Sequence, residues 1–130
     1  MTEQSTIDLI NKASGTRLVL CKDEFSSYDA YDENYIVEIK NRREYYEEKM
    51  IEAMKLFSNY QKAQIGGKYF LYAVTDDNGV WIYNITTNIE IILKSSLIAL
   101  KCPMSTDFSN KDKIIKYSYA LPESMAKNLM

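Results

Sequence analysis

Asp29, Glu38 and Lys40 are the residues of this sequence whose types and spacing best suit joint chemistry. Ile36, Val37 and Ile39 make the run Tyr35 to Lys40 a strong strand former. A strand puts Glu38 and Lys40, two residues apart, on one face. Charges set into an apolar strand need a partner or a task, because burying an unpaired charge is costly. One reading is a cross-strand salt bridge on a solvated face. The other is a cation site: Asp29 and Glu38 supply hard oxygen ligands to Mg²⁺ or Mn²⁺, and Lys40 sits beside the attacking water. The chain has no histidine. That removes His-based acid/base chemistry, Ser-His and Cys-His nucleophiles and most zinc sites.

The turn between the two arms decides whether the acids meet. A two-residue turn at Glu33-Asn34 pairs Asp29 with Glu38 on one face. A three-residue loop pairs Asp29 with Val37 and sends the acids apart. Asn34 tolerates a left-handed backbone, which permits the tight turn.

Other elements must hold this hairpin. Ser5 to Ala13 reads as a first helix, with Ser5 and Asp8 as a capping box and Gly15 as its stop. Arg17 to Lys22 reads as a strand. Glu44 to about Ala63 reads as one long helix, with Tyr46, Met50, Ala53, Phe57 and Tyr60 down its apolar stripe. Lys68 to Thr75 and Val80 to Ile85 read as strands joined by the turn Asp76-Asp77-Asn78-Gly79. Thr87 to Leu100 fits both periods, and a helix from about Asn88 is the preferred reading. Pro103 to Asn110 reads as a loop, Ile114 to Ala120 as a last strand, and the tail as at most one helical turn. Together these predict one domain over residues 1–130, α/β (α+β), with a central mixed β-sheet flanked by helices.

The totals bound the class. At 130 residues, 46% hydrophobic and 26% charged, the chain has the size and composition of one globular domain. No apolar run reaches the roughly 18 residues of a membrane span, and the start lacks the pattern of a signal peptide. Cys21 and Cys102, far apart and flanked by apolar residues, read as buried free thiols in a reducing, cytoplasmic setting. The net charge is −2, but six acids and no base lie between Asp23 and Glu38, and lysines gather after Lys94. An acidic pocket with basic flanks suits a phosphate-bearing substrate.

Asp29, then Glu38-Ile39-Lys40, then a long helix, then an apolar strand, resembles the PD-(D/E)XK nuclease superfamily, which includes restriction endonucleases and Holliday-junction resolvases. The likeness covers about residues 3 to 85, with Tyr28 standing where the motif has proline. It implies a restriction-endonuclease-like core and an Mg²⁺-dependent deoxyribonuclease acting on DNA, leaving 5′-phosphate and 3′-hydroxyl ends. Asp29, Glu38 and the Ile39 carbonyl would hold the metal, and Asp29, Glu38 and Lys40 would be catalytic. Glu3 or Asp8, on the leading helix, would supply a further acid, with Glu24 as another candidate. Arg42 and Arg43 would contact phosphates. Lys55 and Gln64 lie where the superfamily sometimes adds a helper, although Lys55 is off the apolar stripe and reads as solvated. A small core of this kind suits a homodimer or a reader of branched DNA, and a phage or mobile-element source. Two other readings compete: a nuclease-fold protein without catalysis that binds nucleic acid or assembles, and an unrelated interaction protein with solvated acids.

Overall fold

The structure, a computed structural model, describes residues 1–103 and 113–129. The expected loop from Pro103 to Asn110 lies, after Pro103, outside the described residues, as does the side chain of Cys102. The architecture is mixed α and β.

Helix α1 (Glu3–Ser14) begins two residues before its expected start, because Thr2 is the cap. The Thr2 hydroxyl accepts from the Ser5 N–H at 3.0 Å, and Ser5 Oγ accepts from the Thr2 N–H at 2.9 Å. Gly15, at φ 66°, closes the helix by donating to the Asn11 carbonyl. Strands β1 (Val19–Leu20), β2 (Ala30–Tyr31) and β3 (Tyr35–Asn41) follow.

The expected long helix is instead a strand and a shorter helix: β4 (Glu48–Glu52), then α2 (Ala53–Ile65). Met50, Ile51 and Ala53 fit a helical stripe, but Lys49 and Ile51 are the buried positions of β4, which is a period of two. A strand elsewhere in the chain pairs with this segment, and that pairing overrides the local pattern. Tyr46 is consequently exposed, and α2 buries Ala53, Leu56, Asn59 and Ala63 rather than Phe57.

β5 (Tyr69–Asp76) and β6 (Gly79–Asn84) form the expected hairpin. Helix α3 (Ile89–Lys94) has only six residues. Ser95 ends it, donating from both N–H and Oγ to the Ile92 carbonyl. Leu97 and Leu100 therefore fall outside the helix, and β7 (Ile98–Pro103) follows. β8 (Lys113–Pro122), a 3-10 turn (Glu123–Met125) and the short strand β9 (Lys127–Asn128) complete the described chain.

The larger sheet has the order β1-β2-β3-β5-β6-β9, and the smaller β4-β8-β7. β3 and β5 are parallel, and the other pairs are antiparallel. A parallel pair needs a crossover, here β4 and α2. One face of the larger sheet (Val37, Ile39, Leu71, Ala73) packs with Ile7 and Ile10 of α1. The other (Ile36, Phe70, Tyr72, Val74, Tyr83) packs with α2 and with Ile51, Tyr119 and Leu121 of the smaller sheet. Glu38 and Lys40 have the parity of Ile36, so they belong to the α2 side.

Candidate functional site

The hairpin turns at Glu33-Asn34. Ala30 pairs with Val37 and Tyr31 with Ile36, the register of a two-residue turn, and Asp29 lies just outside that ladder, near enough for its charge to act on Glu38. No non-glycine residue described has a positive φ, so the turn does not use a left-handed Asn34. The Asp32 carboxylate shapes it instead: Oδ1 accepts from the N–H groups of Asn34 at 2.7 Å and Tyr35 at 2.8 Å. Oδ2 takes the Arg17 N–H at 3.2 Å.

Asp29 lies just before β2 and is held on both sides through its backbone. Its N–H donates to the Val37 carbonyl, and its carbonyl accepts from Cys21. Its Oδ2 accepts the Ile39 N–H at 2.6 Å. Glu38 is buried, and its Oε1 takes the Lys55 ammonium of α2 at 3.1 Å. Each carboxylate thus keeps one oxygen, Asp29 Oδ1 and Glu38 Oε2, without a hydrogen-bond partner among the described residues. Both acids line an open pocket of about 360 Å³, together with Ser26, Ser27, Met54, Lys55 and Ser58.

The pocket's electrostatics follow from burial and crowding. Burial, then the nearby Asp29 charge, hold the Glu38 carboxyl above the usual carboxylate range, against the pull of Lys55 and Lys40. Burial pulls the Lys55 ammonium down, but the charge and hydrogen bond of Glu38, with Glu52 and Asp29, outweigh it and leave Lys55 above the ordinary lysine value. Desolvation, then the charges of Arg42 and Lys55, hold Lys40 below that value. The Lys40 ammonium makes no hydrogen bond or ion pair with the described residues, while its backbone belongs to the β3–β5 ladder.

The remaining expected residues divide. Glu3 begins α1 near enough to Asp29 that burial first, and Asp29 second, raise its carboxyl. Asp8 is exposed and accepts from Gln4 at 2.9 Å, within its own helix. Glu24 is exposed in the loop before Asp29 and does not line the pocket. Arg42 is tied by its N–H to the Thr75 carbonyl, and its side chain acts on Tyr72, whose hydroxyl burial pushes up to about 12. Arg43 is exposed. Among the described residues no three Asp, Glu, Cys or His side chains converge as a metal cage. The side-chain set here is two hard oxygens, which suits Mg²⁺ or Mn²⁺ only with backbone or water oxygens added.

One contributor was misread in the sequence and another was missed. Lys55, read as solvated, is joined to Glu38 from 17 residues away. Asn59, fully buried on α2, accepts from the Ser27 hydroxyl at 2.7 Å and donates to the Ser27 carbonyl at 3.0 Å. It thereby fastens to the helix the loop that delivers Asp29. An asparagine inside an apolar helix stripe is the one trace such a clamp leaves in sequence.

No membrane-crossing helix occurs among the described residues: none is long and apolar enough. Comparison with known proteins found no matching family model, curated protein or solved structure.

Proposed function

We propose that this chain is a metal-dependent DNA nuclease of restriction-endonuclease-like fold, with Asp29, Glu38 and Lys40 at its centre. The observation that carries the reading is that Asp29 and Glu38, from the two arms of one hairpin, line one pocket, with Lys40 on the same strand face as Glu38. The crossover from β3 through α2 to the parallel β5 agrees with the helix and strand that the motif calls for.

Asp29 Oδ1, Glu38 Oε2 and the Ile39 carbonyl would hold the divalent cation. When bound, it offsets the charge of the phosphodiester and makes a water easier to deprotonate. The chain's own residues do the rest. The Ile39 N–H fixes one Asp29 oxygen, so the other is aimed rather than free to swing. Lys55 offsets the repulsion between Glu38 and Asp29. Lys40, with its ammonium destabilised by desolvation and then by Arg42 and Lys55, gives up a proton more readily than an ordinary lysine, which suits it to position the water and take its proton.

The Lys55–Glu38 ion pair also favours a second reading, in which the acid is neutralised internally and the fold binds nucleic acid without cutting it. One assay separates the two. Wild type, Glu38→Gln and Lys40→Ala are incubated with supercoiled, linear and branched DNA in Mg²⁺, Mn²⁺ or EDTA. The nuclease reading expects cleavage with metal only, reduced at least about 100-fold in both variants. Binding without cleavage by wild type selects the second reading. Neither binding nor cleavage removes both.

A further inference from the structure

Among the described residues no large apolar side chain is more exposed than Phe25, at 88%. Its loop is nevertheless closely tied. Asp23 Oδ1 accepts the Phe25 N–H at 2.9 Å, and the Asp23 carbonyl accepts the Ser26 N–H at 3.1 Å. Ser27 is fastened to Asn59 of α2 through both its hydroxyl and its carbonyl. A ring held out by a fixed turn has already lost the backbone freedom that a new contact would otherwise cost. The ring also has company. Ser26 and Ser27, the next residues, line the pocket from the loop side, and Met54, 78% exposed, lines it from α2. An exposed apolar side chain thus stands on each bank of the pocket's mouth.

Charge divides the two banks. Beside Phe25 stand Asp23 and Glu24, both exposed. On α2, Lys55, Ser58 and Lys62 share one face by their spacing. Lys55 and Ser58 line the pocket, and Lys62 Nζ donates to Ser27 Oγ at 2.6 Å. Lys62 forms no ion pair with the described residues. The hydroxyl therefore fixes its ammonium without neutralising it. A phosphate is drawn to the α2 bank and repelled from the Asp23–Glu24 bank, where only an uncharged group is welcome. A duplex keeps its phosphates outside and its bases stacked within, so it satisfies both banks poorly. An unpaired strand turns a base one way and its phosphates the other.

We propose that Phe25 is a rest for an unpaired base of the bound strand, with Lys62 taking a phosphate of the same strand. It rests on the nuclease reading for the identity of the polymer and narrows that reading to DNA with an unpaired stretch at the pocket. The binding itself needs neither metal nor catalysis. Every base has a face to stack on a ring, so the contact is tolerant of sequence.

The test is fluorescence anisotropy in EDTA, where cleavage is silent, with a labelled single strand and a blunt duplex of the same length over a series of NaCl concentrations. Wild type prefers the single strand. Phe25→Ala weakens single-strand binding about tenfold without changing its salt dependence. Phe25→Trp keeps the affinity, and its emission is quenched by the single strand beyond any change of Trp81 in wild type. Lys62→Gln makes the slope of log K against log salt shallower by about 0.7, and Lys62→Arg restores it. Tyr69→Leu, on the other face of the larger sheet, binds as wild type. Absent binding, equal or tighter binding of the duplex, or an unchanged affinity in Phe25→Ala overturns the proposal. So does an emission change of Phe25→Trp with an oligolysine peptide and none with DNA, which selects a basic protein partner instead. If the single-strand preference depends on Phe25 while wild type cuts no DNA in Mg²⁺, the base rest stands and the nuclease reading falls. If wild type cuts and Phe25→Ala binds as before, the reverse holds.

Discussion

Glu38 is a buried acid beside another acid, and that has a measurable cost in stability. Its folded-state carboxyl is raised, so the protonated form is favoured in the fold. Below the ordinary glutamate range the group is neutral in both states and no penalty exists. As pH rises through the raised value, the folded protein must ionise a carboxyl that burial and Asp29 oppose, and stability falls. In EDTA, Glu38→Gln should therefore melt above wild type at pH 7, with the difference closing toward pH 4. A difference that stays constant over that range sinks the argument. At the same scale, Asn59→Ala takes the donor from the Ser27 carbonyl and leaves the Ser27 hydroxyl with Lys62 alone, and should cost about 1–3 kcal/mol in urea unfolding. It should also weaken Mn²⁺ binding, because Asp29 follows the loosened loop. Unchanged Mn²⁺ affinity would leave Asn59 with a purely structural role.

The elements differ in how much of their cause is local. The hairpin was legible because its parts lie within about a dozen residues: the strand formers Ile36, Val37 and Ile39, and a polar turn. The turn's means were not. Asp32 binds two backbone N–H groups, and no left-handed residue is used. Asp32→Ala should cost about 1–2 kcal/mol and loosen the register that brings Asp29 to Glu38. Amide exchange at Asn34 and Tyr35 reports it, and protection equal to wild type counts against that role. The segment from Glu44 to Glu52 was misread because Met50, Ile51 and Ala53 satisfy two periods at once. Only β8, some 70 residues on, makes it a strand. Lys127–Asn128 carries no strand signal at all; β9 exists because the edge of β6 is there to receive it. Lys55 illustrates the same limit for the site, since its partner lies on another element.

For the whole molecule, the decisive contact is the seam between the two sheets. Lys49 of β4 is buried against Asp76, at the end of β5, at 3.4 Å, and reaches Glu123 at 3.5 Å. Its ammonium also lies over the rings of Tyr45 at 4.2 Å and Trp81 at 4.6 Å. Asp76 is almost wholly enclosed and accepts the Trp81 indole N–H at 3.1 Å. Lys49→Met leaves that acid buried without its cation and should cost about 3–5 kcal/mol, with Asp76→Asn in the same chain restoring a good part. Chemical denaturation of the single and double variants measures both, and a single variant within about 1 kcal/mol of wild type would contradict the clamp. Trp81 is the chain's one tryptophan, and it stands at this joint. The protein therefore carries its own optical reporter. A cation and a carboxylate fixed against the indole tune its emission, so any parting of the sheets that precedes global unfolding changes the colour and intensity of the light without an added label.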